Sequence, residues 1–442
     1  MNQKSLVYPH TPLNVSAADA LSYENLADQL VAETLRTHDE YVAQGRLVDQ
    51  SRWKAVKEKH NMTAYRIRER VSRFRRNRFP SDETEAVATS PRLPSFYHIT
   101  DQETNEALVE SYPSVTITEA GSDDEIQDEW KYGDEVEHDV VDKSRPARVP
   151  MVFCTGIVPG TIEDAALAFF ADTENRSRMR NVSSKEASVD DMRILARFQG
   201  PSEDDPFRFL GIKWCLHAPR GIIKPRDYVI LESTGMALDS DGKRFAYVLN
   251  HSVEGENVPD FRAFGIVRIL FSACHIMRPH DAEGSIEVFS RGFMDTRGYI
   301  AERLSTYIFC DRLMTVPQTI AEAYTKKLVW LLTTQRRADT TLRLAPLDVN
   351  KTCPCCLQKL TKGFAKLLDG TCMCQLCRKT ICRKCTVKKA IPIVTDRSGH
   401  LTQKTMDFCL SCFLKATSLP AWQVAMSTTL MSSEEDLILQ IP

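Results

Sequence analysis

The fold of the C-terminal third is decided by the stretch 374–385, which reads Cys374-Gln375-Leu376-Cys377-Arg378-Lys379-Thr380-Ile381-Cys382-Arg383-Lys384-Cys385. It holds two Cys-x-x-Cys pairs that are separated by four residues. Two more pairs of the same spacing flank it, Cys353/Cys356 upstream and Cys409/Cys412 downstream. Two intervening residues allow both sulfurs of a pair to reach one metal ion at about 2.3 Å. The four pairs therefore supply enough thiolates for two closed tetrahedral sites.

Soft thiolate ligands in fourfold coordination favour two zinc ions as cofactors. Iron–sulfur clusters are the weaker alternative, because the pairs are evenly spread over about sixty residues. Adjacent pairs fit poorly around one ion if the chain must also turn between them, so the sequence predicts a cross-braced arrangement. In that arrangement the first and third pairs share one ion and the second and fourth pairs share the other, as Cys353, Cys356, Cys382 and Cys385, and as Cys374, Cys377, Cys409 and Cys412.

The remaining cysteines are not part of this pattern. Cys355 and Cys372 stand beside the pairs and could compete as ligands, but keeping the two-residue gap leaves them out. The chain has no export signal, which argues against a disulfide framework. Apolar surroundings predict buried, inert thiols for the other four, Cys154, Cys215, Cys274 and Cys310.

Closed Cys₄ sites have no open position, so the finger is predicted to be structural rather than catalytic. Residues 350–415 hold thirteen Lys or Arg against three Asp. Such a basic surface could meet anionic lipid, nucleic acid or an acidic protein segment. We expect contact with anionic lipid, and no nucleic acid partner, for the basic residues around the second and third pairs, Arg378, Lys379, Arg383, Lys384, Lys388 and Lys389.

The chain between Val149 and Leu332 carries a strand signal about every ten residues, which predicts one large antiparallel sheet. Asp239-Ser240-Asp241-Gly242 is typical of a hairpin turn. Thr161, with Asp164 three residues later, predicts a helix N-cap. A long amphipathic helix is predicted over 299–334, bent near Pro317. Strands are predicted at 151–157, 192–198, 209–216, 227–233, 243–252, 265–277 and 285–293.

The N-terminal part is predicted to be mostly helical over 20–75, with Trp53 and Val56 continuing the helical spacing. Alternation at Tyr65 and Ile67 then predicts a short strand. Residues 101–142 contain fifteen acidic residues and one basic residue, Lys131. So few apolar residues at such a charge predict a disordered acidic insertion. This insertion is itself a candidate partner for the basic finger.

The cysteine spacing resembles that of FYVE and FYVE-related zinc fingers, in which a four-residue gap also separates the middle pairs. The resemblance implies the eight zinc ligands given above. In that family a basic motif with two histidines, placed around the third and fourth cysteines, often binds phosphatidylinositol 3-phosphate on endosomes. Here Gly370-Thr371-Cys372-Met373-Cys374 has no histidine or arginine, and Gln375 replaces the following arginine. The ligands are therefore carried over and the phosphoinositide pocket is not.

The region before the finger resembles a START-type lipid-binding domain. The residues that carry the resemblance are Val158-Pro159-Gly160-Thr161, Pro206-Phe207-Arg208, Ile212-Lys213-Trp214, Lys224-Pro225-Arg226-Asp227-Tyr228-Val229, Asn250-His251-Ser252-Val253 and Leu328-Val329-Trp330. A START-like domain followed by a FYVE-like finger looks like the START–FYVE proteins of oomycetes. The resemblance implies an α+β helix-grip fold, in which a curved antiparallel sheet holds a long C-terminal helix over an apolar cavity for lipid.

Together these observations predict a tail (1–19), a START-like domain (20–79 and 147–335), the acidic insertion (80–146), a linker (336–349), the finger (350–415) and a C-terminal tail (416–442). The polar residues Arg226, Asp227, Arg268 and His275 lie in or near apolar strands and are predicted to be satisfied structural pairs, and Trp214 is predicted to be a sheet residue first. Which residues line the cavity is not specified by the sequence.

No phosphate-binding loop, nucleophile elbow or His-Glu-x-x-His motif is present, so we predict a non-enzyme. The leading hypothesis is a lipid-binding or lipid-transfer protein with a membrane-adaptor finger. A protein-interaction scaffold without lipid is the alternative, and a ubiquitin-system or chromatin reader is the third. The absence of a secretory signal and of a long apolar run predicts a cytoplasmic protein, and the resemblance implies peripheral attachment to endosomal or other membranes.

Overall fold

The computed structural model describes residues 12–68, 139–183, 189–217, 224–254, 261–341, 352–360, 371–394 and 401–430. Most of the predicted acidic insertion and much of the predicted linker lie outside these residues.

A sheet of ten strands forms the body of the molecule. Its order is β1-β2-β3-β10-β9-β7-β6-β5-β4, with β8 beside β6, and every pairing except the parallel β6–β8 contact is antiparallel. This confirms the predicted α+β class with one large antiparallel sheet. The strands are β1 (Trp53–Lys59), β2 (Met62–Ile67), β3 (Val152–Pro159), β4 (Val189–Gln199), β5 (Phe209–His217), β6 (Arg226–Leu238), β7 (Arg244–Ser252), β8 (Val267–Arg268), β9 (Leu270–Pro279) and β10 (Ser285–Asp295).

Helices cover both faces of the sheet. They are α1 (Ala17–Ala43), α2 (Val140–Ser144), α3 (Ile162–Phe169), α4 (Glu174–Ser183), α5 (Glu302–Leu313), α6 (Val316–Thr341), α7 (Leu410–Thr417) and α8 (Ala421–Leu430). One face, here the α1 face, packs against α1 and α2. The opposite α3 face packs against α3 and α5, while α6 and α8 lie on α3. Alternate residues of each strand therefore enter one of two separate cores.

The helical prediction for 20–75 is wrong from residue 44 to residue 68, and residues 69–75 lie outside the described residues. The chain turns through Gly45 and Arg46, both at positive φ, and then forms the β1–β2 hairpin. Trp53 and Val56 lie in β1 instead of a helix, and the Trp53 ring packs edge-on against Phe153 at 4.6 Å. Pairing with a neighbouring strand overrides helical spacing here, because aromatic and β-branched residues pack well on a pleated surface. The short strand at Tyr65 and Ile67 is confirmed within β2.

The bend in the C-terminal helix is confirmed. α5 ends at Leu313, and Pro317 stands in the first turn of α6, where its missing N–H is not needed. α6 continues to Thr341, so the predicted linker at 336–349 begins as helix. The N-cap at Thr161 is also confirmed, since its Oγ1 accepts a hydrogen bond from the Asp164 N–H at 3.0 Å.

The ends of three predicted segments pack on the body of the molecule. Residues 139–146 are ordered at the end of the acidic insertion, and Val141 is buried against the α1 face. Residues 17–19 belong to α1, which Ser16 caps. The C-terminal tail contains α8, whose Ala421, Val424 and Ala425 are buried in the α3-face core.

The described part of the finger contains four strands besides α7. Strands β11 (Cys372–Met373) and β12 (Thr380–Ile381) pair with each other, and β13 (Thr386–Val394) pairs with β14 (Leu401–Cys409). Leu328, Val329 and Leu332 of α6 share one buried cluster with the finger. One part of α6 therefore packs on the body, and another part packs on the finger.

Candidate metal centres and the α3 face

The eight paired cysteines come together in two groups. Cys353, Cys356, Cys382 and Cys385 form one group, and Cys374, Cys377, Cys409 and Cys412 form the other, with the sulfurs of each group within 4.8 Å of one another. The first and third pairs thus meet, as do the second and fourth, in the interleaved order that the sequence predicts. All fourteen cysteines lie within the described residues and are free thiols.

The sulfur spacing suits a tetrahedral ion. Sulfurs placed about 2.3 Å from one zinc ion lie roughly 3.8 Å apart. Sγ of Cys356 is 3.6 Å from Sγ of Cys382, and Sγ of Cys377 is 3.9 Å from Sγ of Cys409. Each group could therefore hold one metal ion with soft ligands, and zinc fits the fourfold thiolate set best.

The thiols of the second group differ in their affinity for protons, which also favours a cation between them. Side-chain hydrogen bonding from Cys412 is the first cause that lowers the pKa of Cys374 to about 5. Burial raises the pKa of Cys409 in the same group to about 12. One thiol ionises readily while a neighbour holds its proton, because adjacent thiolates repel each other without a positive ion between them.

Two of the pairs sit in equivalent tight turns. The Leu357 N–H donates to the Cys353 carbonyl at 2.8 Å, and the Arg378 N–H donates to the Cys374 carbonyl at 2.9 Å. Leu357 and Arg378, each the residue after a pair, have φ of 59° and 57°. This left-handed step turns both sulfurs of the pair, and nearby N–H groups, toward one point. In the fourth pair, Cys409 caps α7 and its Sγ accepts from the Cys412 N–H at 3.3 Å.

The leftover cysteines have other partners. Sγ of Cys355 lies 3.3 Å from Ser411 Oγ, and Sγ of Cys372 lies 3.1 Å from Thr386 Oγ1, so neither joins a group. Burial raises the pKa of Cys215, Cys274 and Cys310 to about 12, and it also raises that of Cys154. Thiols of this kind stay protonated and unreactive.

The six basic residues predicted to contact lipid differ in how exposed they are. Lys379, Arg383, Lys384 and Lys388 are exposed, whereas Lys389 is half-buried and places its ammonium 5.2 Å from the Phe413 ring centre. Arg378 is half-buried and lines a cavity of about 90 Å³ between the finger and α6.

That small cavity lies beside the second cysteine pair. Its walls are Leu332 and Gln335 of α6 on one side and residues 373–376 with Arg378 on the other. α6 therefore stands directly against this part of the finger.

Buried charges organise the α3 face. Lys213 Nζ donates to Glu232 Oε1 at 2.6 Å, and Arg180 Nη2 donates to Glu232 Oε2 at 2.9 Å. Lys213 and Glu232 are almost wholly buried. Charge attraction from Arg180 and Lys213 outweighs burial and lowers the pKa of Glu232 to about 2. Sequence reasoning missed this cluster, although a lysine and a glutamate inside apolar strands β5 and β6 were a usable signal.

Arg180 and Lys213, together with Lys326 of α6, also donate hydrogen bonds to carbonyl groups at the end of α3. These last carbonyl groups have no partner within the helix. Arg180 donates to the Phe169 carbonyl at 2.7 Å, and Lys213 donates to the Ala171 carbonyl at 2.6 Å. Lys326 of α6 donates to the carbonyls of Leu167, Ala168 and Phe170 at 2.7–2.9 Å. These charges are therefore structural supports of α3.

The polar residues singled out in the sequence occupy structural positions. Asp227 Oδ2 accepts hydrogen bonds from Trp214 Nε1 at 2.9 Å and from Arg268 Nη2 at 2.5 Å, all on the α1 face. Arg226 donates to the Lys224 carbonyl at 3.1 Å. His275 Nδ1 lies 2.7 Å from Ser290 Oγ, on the α3 face. Trp214 is thus excluded from any site on the α3 face.

One part of the α3 face carries half-buried aromatic and apolar side chains. The rings of His217 and Tyr228 lie 5.1 Å apart, and Tyr228 meets Phe271 edge-on at 5.3 Å. Phe271 is paired across the sheet with Met294, and both pack against the buried core. We call His217, Tyr228, Phe271 and Met294 the aromatic patch. It joins the buried apolar core to the surface.

A second cavity, of about 660 Å³, lies at the open edge of the sheet. Residues 12–17 and the start of α1 line it together with Leu195–Gln199 of β4. Neither this cavity nor the one beside α6 lies between the sheet and α3. Within the described parts of the chain, no helix combines the length and apolarity needed to cross a membrane.

Comparisons with known proteins find similar solved structures at low identity and no matching family. A scan against models of protein families and a search of curated proteins both find no match. Among solved structures, human STARD10 is similar at 9% identity over 64% of this chain and 79% of that chain, with a TM-score of 0.34. Human StAR-related lipid transfer protein 5 is similar at 15% identity over 68% and 98%, also at 0.34.

A third similar structure, the lipid transfer and protein localization domain of human StarD13, has 10% identity over 65% of this chain and 95% of that chain, with a TM-score of 0.33. Similarity at this level carries no argument about function, which depends on this chain's own residues.

Proposed function

We propose that this protein is a non-catalytic lipid-binding protein, in which a START-type body receives a lipid on its α3 face and a FYVE-type finger is held by two structural zinc ions. The aromatic patch carries the proposal for the body. It places half-buried apolar groups at the edge of a deep apolar core, which is the chemistry that an acyl chain or sterol requires.

The patch favours an apolar ligand over a polar one. Phe271 and Met294 pack against apolar residues of the α3-face core, including Ala273 and Val248. Buried polar groups next to them already have partners: the Phe271 N–H donates to Ser252 Oγ at 2.9 Å, and His275 Nδ1 lies 2.7 Å from Ser290 Oγ. Burial lowers the pKa of His275 to about 4, so its ring is neutral at neutral pH. A ligand entering here gains from burying apolar area.

The finger acts as a structural and adaptor module in this proposal. Its two closed thiolate sites replace a core that so few residues cannot supply. Exposed Lys379, Arg383, Lys384 and Lys388 provide the anionic-lipid contact, at about 1 kcal/mol for each well-placed charge. We propose a cytoplasmic protein that attaches peripherally to endosomal or other membranes, and no phosphatidylinositol 3-phosphate pocket.

Native mass spectrometry of the full chain, before and after organic extraction, tests both parts. We expect two zinc ions both before and after extraction. We expect a bound lipid only before extraction. The matched pair Phe271→Asp and Leu238→Asp then locates the lipid. Leu238 is 64% exposed at the opposite end of the sheet. Phe271→Asp should lose the lipid while retaining both zinc ions, and Leu238→Asp should retain all three.

The scaffold function is the second candidate, because the α3-face core is filled by side chains such as Phe170, Phe207 and Phe309. Under that function the chain carries two zinc ions but no lipid, and it takes up none from mixed liposomes. This outcome would replace the lipid proposal and leave the metal proposal intact.

A further inference from the structure

The finger has an exposed apolar surface that neither its cysteine groups nor its contact with α6 uses. The exposed fractions are 76% for Leu357, 41% for Leu410 and 55% for Leu414. Leu410 and Leu414 stand four residues apart on α7 and therefore on one side of it. The contact between Cys355 and Ser411 joins the first cysteine pair, and with it Leu357, to α7. We call these three residues the leucine face.

The border of the leucine face is basic. Lys359 and Lys415 are exposed close to Leu357 and Leu414, and Arg383 and Lys384 belong to the cysteine group that Leu357 follows. Across the described residues of the finger there are nine Lys or Arg and one acidic residue, Asp407. Two copies of this surface would repel each other, so a second copy of the chain is a poor occupant. The chemistry calls for a partner that is acidic and apolar at once.

We propose that residues 101–138 of this same chain dock on the leucine face. This segment has thirteen acidic residues and one basic residue, Lys131. It also interleaves apolar residues with the charges. Leu108 and Val109 stand between Glu106 and Glu110, and Ile117 stands two residues before Glu119. Exposed leucines beside lysines on the finger are thus complementary to apolar residues beside carboxylates in the segment.

The segment is tethered to the body at both ends. Before it, β2 ends at Ile67 in the sheet. After it, Asp139 binds Arg36 at 2.6 Å and Arg291 at 2.8 Å, and Glu33 accepts from the Val140 N–H at 2.9 Å. Such tethering raises the local concentration of the segment to about the millimolar range. An anionic membrane or an acidic protein in trans has to compete with it.

Chain length permits the contact. The stretch from residue 101 to Asp139 can extend to roughly 120–140 Å. A folded chain of this size has a diameter of roughly 60 Å. The part of the segment from residue 101 to Glu119 lies twenty or more residues before Asp139 and can extend by more than about 65 Å. It can therefore reach the finger even though the anchor at Arg291 lies on the α1 face and the finger packs on α6. This inference does not depend on lipid binding by the body.

Zero-length carbodiimide cross-linking of the full, zinc-loaded chain tests the proposal, with cross-linked peptides read by mass spectrometry. We expect Lys359, Lys384 and Lys415 to link to acidic residues of 101–138. Mixing chains of natural and heavy nitrogen should show that the links form within one chain. Raising the salt concentration should weaken them, because the border charges are exposed.

The matched variants are Leu410→Ser with Leu414→Ser, and Leu47→Ser with Leu238→Ser as the control, since all four leucines are exposed. The first double variant should lose these links by about fivefold or more, and the control should retain them. Zinc content confirms that both fold.

Links that persist in the first variant, links only between chains, or no links to 101–138 would overturn the proposal. Phosphatidylserine vesicles that bind the finger without reducing the links would also overturn the proposal. In that case either the membrane binds a surface other than the leucine face, or the segment does not dock on the leucine face.

Discussion

Lys327 on α6 forms an ion pair with Asp164 on α3, with Nζ 2.6 Å from Oδ1, and both side chains are almost buried. The same ammonium group donates to the Thr417 carbonyl at 3.1 Å, at the end of α7. One cation thus connects the body, the long helix and the finger. Its neighbour Lys326 holds the other end of α3. These two consecutive lysines fix α3 between the sheet and α6.

Replacing Lys327 with Met should destabilise the protein strongly. The variant leaves the buried Asp164 carboxylate without its partner, a change that typically costs about 3–5 kcal/mol. The matched control is Lys243→Met, because Lys243 and Asp241 are 3.8 Å apart and more than 70% exposed. That pair should contribute about 0–1 kcal/mol. Urea unfolding measures both, and equal midpoints for the two variants would contradict the structural role of Lys327.

Metal stoichiometry should separate the paired cysteines from the leftover ones. Cys374→Ser and Cys382→Ser each remove one ligand of a different group and should each lose one of two bound ions. Cys355→Ser is the control, because its sulfur contacts Ser411 outside both groups. Native mass spectrometry counts the ions. Loss of an ion from the Cys355 variant would mean that the ligand set differs from the one proposed.

Removing the metal should loosen α6 where it meets the finger. Leu328, Val329 and Leu332 share their buried cluster with cysteines of both groups, so collapse of the finger exposes them. Amide hydrogen exchange over 328–335 should therefore accelerate on chelation. The central strand β9, packed between β7 and β10, is the internal control and should exchange as slowly as before. Unchanged exchange in α6 would show that the helix does not depend on the finger.

Acid should destabilise the body through two buried histidines. Burial lowers the pKa of His251 and His275 from 6.5 to about 4. Between these values the unfolded chain binds more protons than the folded one, so stability is complete above pH 6.5 and falls as the pH drops toward 4. Each histidine can contribute up to about 3 kcal/mol to this loss. Urea unfolding across this range should show the decline, and His275→Gln should reduce its slope. A flat profile that His275→Gln leaves unchanged would contradict the prediction.

The sequence alone determined the parts whose physics is local. The spacing of Cys353/Cys356 and Cys374/Cys377 fixes a turn in which two sulfurs converge, whatever the rest of the chain does. The N-cap at Thr161 and the strands through the body follow from the order of neighbouring residues in the same way. For that reason the α+β class and the interleaved cysteine groups could be predicted from the order of residues.

Tertiary structure alone decided the features that join residues distant in the sequence. Trp53 lies in a strand because β1 finds β2 and Phe153, which outweighs its helical spacing. Lys213 and Glu232 tolerate burial because the sheet places them together beside Arg180. α8 becomes part of the body because its apolar side meets α3 and α6. Each of these depends on the burial and pairing of groups that only the complete fold brings into contact, so a local pattern could at most mark a residue such as Lys213 without naming its partner.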